Sequence, residues 1–172
     1  MLYIAYLKIM SYIANIDFLN LLNMNYLKYA LEKQKENSGI EIFGAVETDL
    51  VQSVEQQLGV VFPEQYKAFL LECGSCSIYD TYISGLFRDW DNATSTGSTL
   101  HDTLEARANH KLPLNYIVLE YSEDENYYVL NVSPDSSENG KVYSVDIDDK
   151  DEVSKFTEVF SSFEEYFKFT LD

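Results

Sequence analysis

The sequence predicts an α+β fold, a single domain with amino-terminal helices, a largely antiparallel sheet and a carboxy-terminal helix packed on it. Three observations carry that reading. Apolar stripes of helical period flank a central stretch of strand-like runs, and those runs are separated by short polar loops, which suits hairpins rather than crossovers. The 172 residues, 46% hydrophobic and 15% aromatic, suffice to bury one core without disulfides or a metal.

The elements follow in order. Met24 to Glu36 is a charged helical stretch with Met24, Leu27 and Leu31 on one face. Asp49, with Gln52 three residues on, predicts a helix start, and Leu50, Val51, Val54 and Leu58 recur on one face until Gly59. Pro63 suits the first turn of a second helix, whose stripe is Tyr66, Phe69, Leu70 and Cys73, with Gly74 as its stop. From Ser77 to Leu86 the pattern is strand-like, residues 88–98 read as a loop, and Ser98 predicts the cap of a helix carrying Leu100, Leu104 and Ala108. Tyr116 to Tyr121, Tyr127 to Val132 and Lys141 to Asp146 read as strands, the first two joined by a polar hairpin loop at Ser122 to Asn126. Ser161 and Ser162 head overlapping capping boxes for a last helix with Phe163, Phe167 and Leu171 on one face. Residues 1–38 are read as an amino-terminal helical extension and 39–172 as the domain, with the natural start left open between Met1, Met10 and Met24.

Charge narrows the function. There are 29 acidic against 12 basic residues, a net charge of −17. The excess is uneven, with residues 1–38 at +1, 39–110 at −8 and 111–172 at −10. Such a surface repels nucleic acid and anionic lipid, so direct binding to either is not expected, and its complement is a basic partner. Lys8 and Asp17 interrupt the apolar amino end, which therefore holds neither a membrane span nor a signal-peptide pattern, and the chain is read as cytoplasmic.

Reactive machinery is hard to find. Cys73-Gly74-Ser75-Cys76 has redox spacing, but Cys73 closes a helix, where the dipole disfavours thiolate. With His101 and His110 the cysteines fit no compact zinc pattern. Nucleophile elbows, Walker loops and dinucleotide fingerprints are all missing. Asp146 to Asp151 is faintly like a calcium loop but lacks the turn glycine and has Thr157 at position twelve, so it reads as a solvated acidic loop. No catalytic residue, cofactor or metal site is therefore expected. Trp90, between Asp89 and Asp91, is either a core-edge residue or a contact anchor.

The string Val54-Glu-Gln-Gln-Leu-Gly-Val-Val-Phe-Pro-Glu-Gln-Tyr-Lys-Ala-Phe-Leu70, with Gly74 after it, resembles the signature helix pair of the SUKH superfamily. Ile83-Ser-Gly-Leu86, Leu112-Pro-Leu-Asn-Tyr-Ile-Val-Leu119, Tyr127-Tyr-Val-Leu130, Gly140-Lys-Val-Tyr143 and Ser162-Phe-Glu-Glu-Tyr166 are similar to its later blocks in order and spacing, covering about residues 40 to 172. Phe62 and Cys73 depart from residues common there. The resemblance implies a non-enzymatic binding protein, either a bacterial immunity protein that neutralises a cognate toxin domain, often a nuclease or deaminase, or a regulatory adaptor like fungal cell-wall regulators. A thiol redox enzyme is the third alternative. For an immunity protein the expected toxin-binding residues are Asp80, Tyr82, Asp89, Trp90, Asp91, Glu123, Asp124, Glu125, Asp146, Asp148 and Asp149, each weighed against being plain solvated surface.

Overall fold

A computed structural model describes residues 24–121 and 126–172. The described residues form helices α1 (Tyr26–Glu36), α2 (Thr48–Leu58), α3 (Glu64–Cys73), α4 (Thr99–His110) and α5 (Phe163–Leu171). The strands are β1 (Ile40–Ile42), β2 (Cys76–Ile78), β3 (Thr81–Ile83), β4 (Tyr116–Tyr121), β5 (Asn126–Asn131), β6 (Val142–Ile147) and β7 (Val153–Phe160). The expected antiparallel sheet divides in two, a three-stranded β1-β2-β3 and a four-stranded meander β4-β5-β6-β7, both antiparallel throughout. The α+β class holds, with α5 packed on the sheet as expected.

Helix α3 lies at the centre. Tyr66, Phe69, Leu70 and Cys73 are all fully buried, as their i, i+3, i+4, i+7 spacing predicts. Phe69 meets Phe163 and Phe167 of α5 with ring centroids at 5.2 and 5.4 Å, and Tyr66 meets Phe62 edge-on at 5.2 Å. The Tyr66 hydroxyl donates to the Ser84 carbonyl at 2.8 Å, so the polar end of a buried ring is satisfied. Gly74 ends α3 at φ +68°, and a Cβ there would stand 2.2 Å from the Gly44 carbonyl oxygen, so two backbones cross where only glycine fits.

The four-stranded sheet is covered on both faces. Ile117, Leu119, Leu130 and Val142 join the main core, while Val118, Val129, Tyr143 and Val145 alternate to a second cluster with Ala106 and Leu112. Helix α5 starts as predicted: Ser162 accepts from the Glu165 N–H at 3.2 Å, and the Glu165 carboxylate accepts from the Ser161 N–H at 2.9 Å. Helix α2 starts one residue before Asp49, with Glu47 as its cap and no side-chain cap bond.

Two helices turn a different face inward than their aliphatic residues predict. In α1, Leu27 and Leu31 are 37% and 43% exposed, while Tyr26 and Ala30 are buried. The Tyr26 ring sits among Phe69, Phe163 and Phe167, so α1 packs on the main core through aromatic contacts that outweigh the leucines. In α4, Leu104 and Ala108 are exposed, and Thr99, Leu100, Asp102, Thr103 and Ala106 are buried. The reason is the open edge of β4. Thr99 Oγ1 donates to the Val118 carbonyl at 3.1 Å and Thr103 Oγ1 accepts from the Val118 N–H at 3.0 Å, so polar side chains complete the edge strand's backbone bonds.

Two strands escape the sequence pattern. β1 has only three residues, and β7 begins just after the acidic stretch and carries Lys155 and Glu158 on an exposed outer edge. Thr157, the twelfth position of the calcium-like loop, pairs with Ser144 in that strand.

Candidate functional site

The segment from Leu86 to Ser98 has no regular structure, yet it is tightly held. Asn92 is buried and serves as its staple: Oδ1 accepts from the Phe87 N–H at 2.9 Å and the Ser98 hydroxyl at 3.1 Å, and Nδ2 donates to the Phe87 carbonyl at 2.8 Å. Ser98 also caps α4 by position, but its hydroxyl goes to Asn92 rather than to the helix. Asp91 orders the next turn, accepting from the Ala93 N–H at 3.0 Å. Arg88 reaches across to the Ala45 carbonyl.

This frame presents a cluster of four rings in edge-on and tilted contact. Phe87 and Trp90 lie 4.4 Å apart at 31°, and Phe43, just beyond β1, meets Phe87 at 5.1 Å, Trp90 at 5.6 Å and Tyr82 of β3 at 5.6 Å. Trp90 is 48% exposed, so its ring covers the core edge through Phe43 and Phe87 and leaves about half its surface open to solvent. Asp89 and Asp91 flank it, both exposed. Tyr82, Asp89, Trp90 and Asp91 thus form one face. Phe43, Phe87 and Asn92 complete it; sequence reading passed over them because Phe43 lies in a short irregular stretch and a buried loop asparagine has no periodic signal.

The other candidates lie elsewhere. Asp80 sits in the two-residue β2–β3 turn, at the opposite end of β3 from the Leu86–Ser98 segment. Asp146, Asp148 and Asp149 occupy the end of β6 and the β6–β7 turn, where Asp148 caps the turn by accepting from the Lys150 and Glu152 N–H groups at 2.8 and 3.1 Å. The His110 ring bonds to the Asp151 carbonyl and Lys111 pairs with Glu152, which ties this turn to the end of α4. Glu123, Asp124 and Glu125 lie outside the described residues.

The remaining polar groups are structural in setting. Asp102 is buried, accepts from the Ser84 hydroxyl at 2.7 Å and the Gly97 N–H at 3.3 Å, and has its pKa raised by burial, with those bonds opposing. Arg107 donates to the Leu58 and Leu114 carbonyls at 2.8 and 2.9 Å, clamping the end of α2 to the approach of β4. Cys73 and Cys76 are free thiols with no exposed surface, and the Cys76 thiol is pushed up by its hydrogen bond to Cys73 and by burial, the opposite of what a thiolate nucleophile needs. Among the described residues no group of three or more His, Cys, Asp or Glu could hold a metal ion, and no helix is long and apolar enough to cross a membrane.

An exposed ring on a rigid frame between carboxylates can grip a cationic or amphipathic partner surface. Comparison with known proteins agrees on the lineage. The chain is similar to an uncharacterized protein of Bacillus subtilis (strain 168), YnaB, with 27% identity over 117 residues, 68% of this chain and 70% of that one. The family model described as SMI1 / KNR4 family (SUKH-1) matches residues 45–168, a span that runs from just before α2 into α5 and takes in the whole aromatic face except Phe43. The chain belongs to the SMI1 / KNR4 family (SUKH-1).

Proposed function

We propose that the protein is a non-enzymatic, cytoplasmic immunity protein that binds a cognate basic toxin domain, of nuclease or deaminase type, and neutralises it by stoichiometric occlusion. The observation that carries this reading is the Trp90 face. A half-exposed tryptophan braced by Phe43 and Phe87 loses little conformational freedom on binding, and the carboxylates of Asp89 and Asp91 beside it favour a cationic surface. The net charge of −17 adds long-range steering toward such a target. The Asp146, Asp148 and Asp149 turn extends the negative field from the other sheet.

The test is to identify the reading frames beside this gene and to co-express the protein with the carboxy-terminal toxin domain of any large secreted protein encoded there. Rescue of growth and a 1:1 complex are expected, with Trp90→Ala weakening the complex by about 2 kcal/mol, roughly 30-fold. Failure of rescue by the folded protein overturns the reading.

One feature favours a regulatory adaptor instead. An open groove of about 980 Å³ runs between Val60, Val61, Leu114, Val132 and Pro134, with Val61 53% and Leu114 72% exposed. Under that reading Val61→Asp abolishes partner binding while Trp90→Ala does not, the reverse of what toxin occlusion by the aromatic face requires.

A further inference from the structure

The β2–β3 turn, the end of β4 and helix α5 line a second depression, of about 520 Å³, at the end of β3 opposite the one that leads into the Trp90 segment. Its walls are aromatic: Tyr79, Tyr128, Tyr166 and Phe169, of which Tyr79 and Phe169 are 72% and 65% exposed at the rim. Two carboxylates face it, Asp80 from the turn and Glu120 from β4.

Glu120 is the unusual member. It is partly buried, one oxygen accepts from the Tyr166 hydroxyl at 3.0 Å, and among the described residues no lysine, arginine or histidine pairs with it. A carboxylate partly taken from water whose one hydrogen bond among the described residues is to a neutral hydroxyl is under-compensated by them, and burial raises its pKa. The rim is built with equal care. Tyr79 holds φ 52°, a conformation natural to glycine or asparagine at a two-residue turn, and its ring lies over Gly39, where a Cβ would come within 2.5 Å of the ring. The Tyr79 N–H donates to the Gly39 carbonyl at 2.8 Å and fixes the turn.

Ring faces and a half-desolvated carboxylate both attract cations, and a planar guanidinium satisfies both at once by stacking on a ring and donating two parallel bonds to a carboxylate. We propose that this depression is a receptor for one arginine side chain of the partner protein, with Glu120 as its counter-ion and Tyr79 and Phe169 as its walls. The assignment of the arginine to a protein partner rests on the toxin-binding reading above; the chemistry of the pocket does not.

The test uses the full chain, labelled with ¹⁵N, titrated with blocked Gly-Arg-Gly and with the same peptide bearing lysine or citrulline. Saturable shifts confined to the amides of Asp80, Thr81, Phe169 and Thr170 are expected for the arginine peptide, with binding about tenfold weaker for citrulline and about tenfold weaker for Glu120→Gln. Glutamine keeps the size and the Tyr166 bond, and an unchanged spectrum elsewhere checks the fold; Asp80→Asn, on the surface, is the second variant and is expected to weaken binding by a smaller factor. Absence of saturable shifts overturns the proposal, as does equal binding of citrulline, equal binding of lysine, or undiminished binding by Glu120→Gln. Tighter binding of spermidine at the same amides also overturns it, in favour of a small-molecule cation site. Peptide binding without toxin rescue would remove the toxin as the source of the arginine and leave the pocket; rescue without peptide binding would remove the pocket alone.

Discussion

Replacing Asn92 by alanine should loosen the Trp90 face and the fold together. The side chain supplies three good hydrogen bonds, two to the Phe87 peptide group at 2.9 and 2.8 Å and one from the Ser98 hydroxyl at 3.1 Å, and Phe87 and Ser98 are themselves buried. At about 1 kcal/mol net for each bond the loss is about 3 kcal/mol, and for a chain of this size that lowers Tm by roughly 6–12 °C. Trp90 is the sole tryptophan, so its fluorescence reports this face and nothing else. Urea unfolding should show the lost stability, while the native protein shows red-shifted emission and greater access to acrylamide. Phe69→Ala is the control: it empties a core site touching Tyr26, Tyr66, Phe163 and Phe167, costs about 3 to 5 kcal/mol, and leaves native Trp90 emission unchanged. If Asn92→Ala costs under about 0.5 kcal/mol, the ordinary range for a surface change, with emission and quenching as in the parent, the staple argument is wrong.

Three further outcomes follow from the geometry. Asp102 has a raised pKa in the folded state, so that state takes up its proton first as pH falls, and the stability gap between parent and Asp102→Asn should move in the parent's favour between neutral pH and the ordinary aspartate range; parallel urea titrations that give a constant gap refute this. Gly74→Ala should cost at least about 3 kcal/mol or prevent folding, because the new methyl meets the Gly44 and Leu86 carbonyl oxygens and the φ is positive; a Tm within 2 °C of the parent, about the effect of half a kcal/mol, would contradict the backbone crossing. Cys73 and Cys76 should resist a thiol reagent such as DTNB until the protein is unfolded, and stoichiometric labelling of the native protein would reopen the redox reading.

Much of the architecture was legible in the chain because it is local. The stripes of α2, α3 and α5, the Ser161–Ser162 caps and the Gly59 and Gly74 stops each state within a dozen residues which face turns inward and where the helix ends. The acidic excess and the absence of reactive motifs likewise need no coordinates. What only the tertiary structure decided is which distant segments meet. Tyr26 rather than Leu27 faces the core because three phenylalanines from α3 and α5 wait there, and Thr99 and Thr103 are buried because the edge of β4 has unpaired backbone groups beside them. Phe43 reaches Trp90 across 47 residues of chain, and Asp80 shares a depression with Glu120 across 40. Periodicity records the amphipathic demand of one element; the partner that meets it is set by sheet register and helix packing, which are properties of the assembled core.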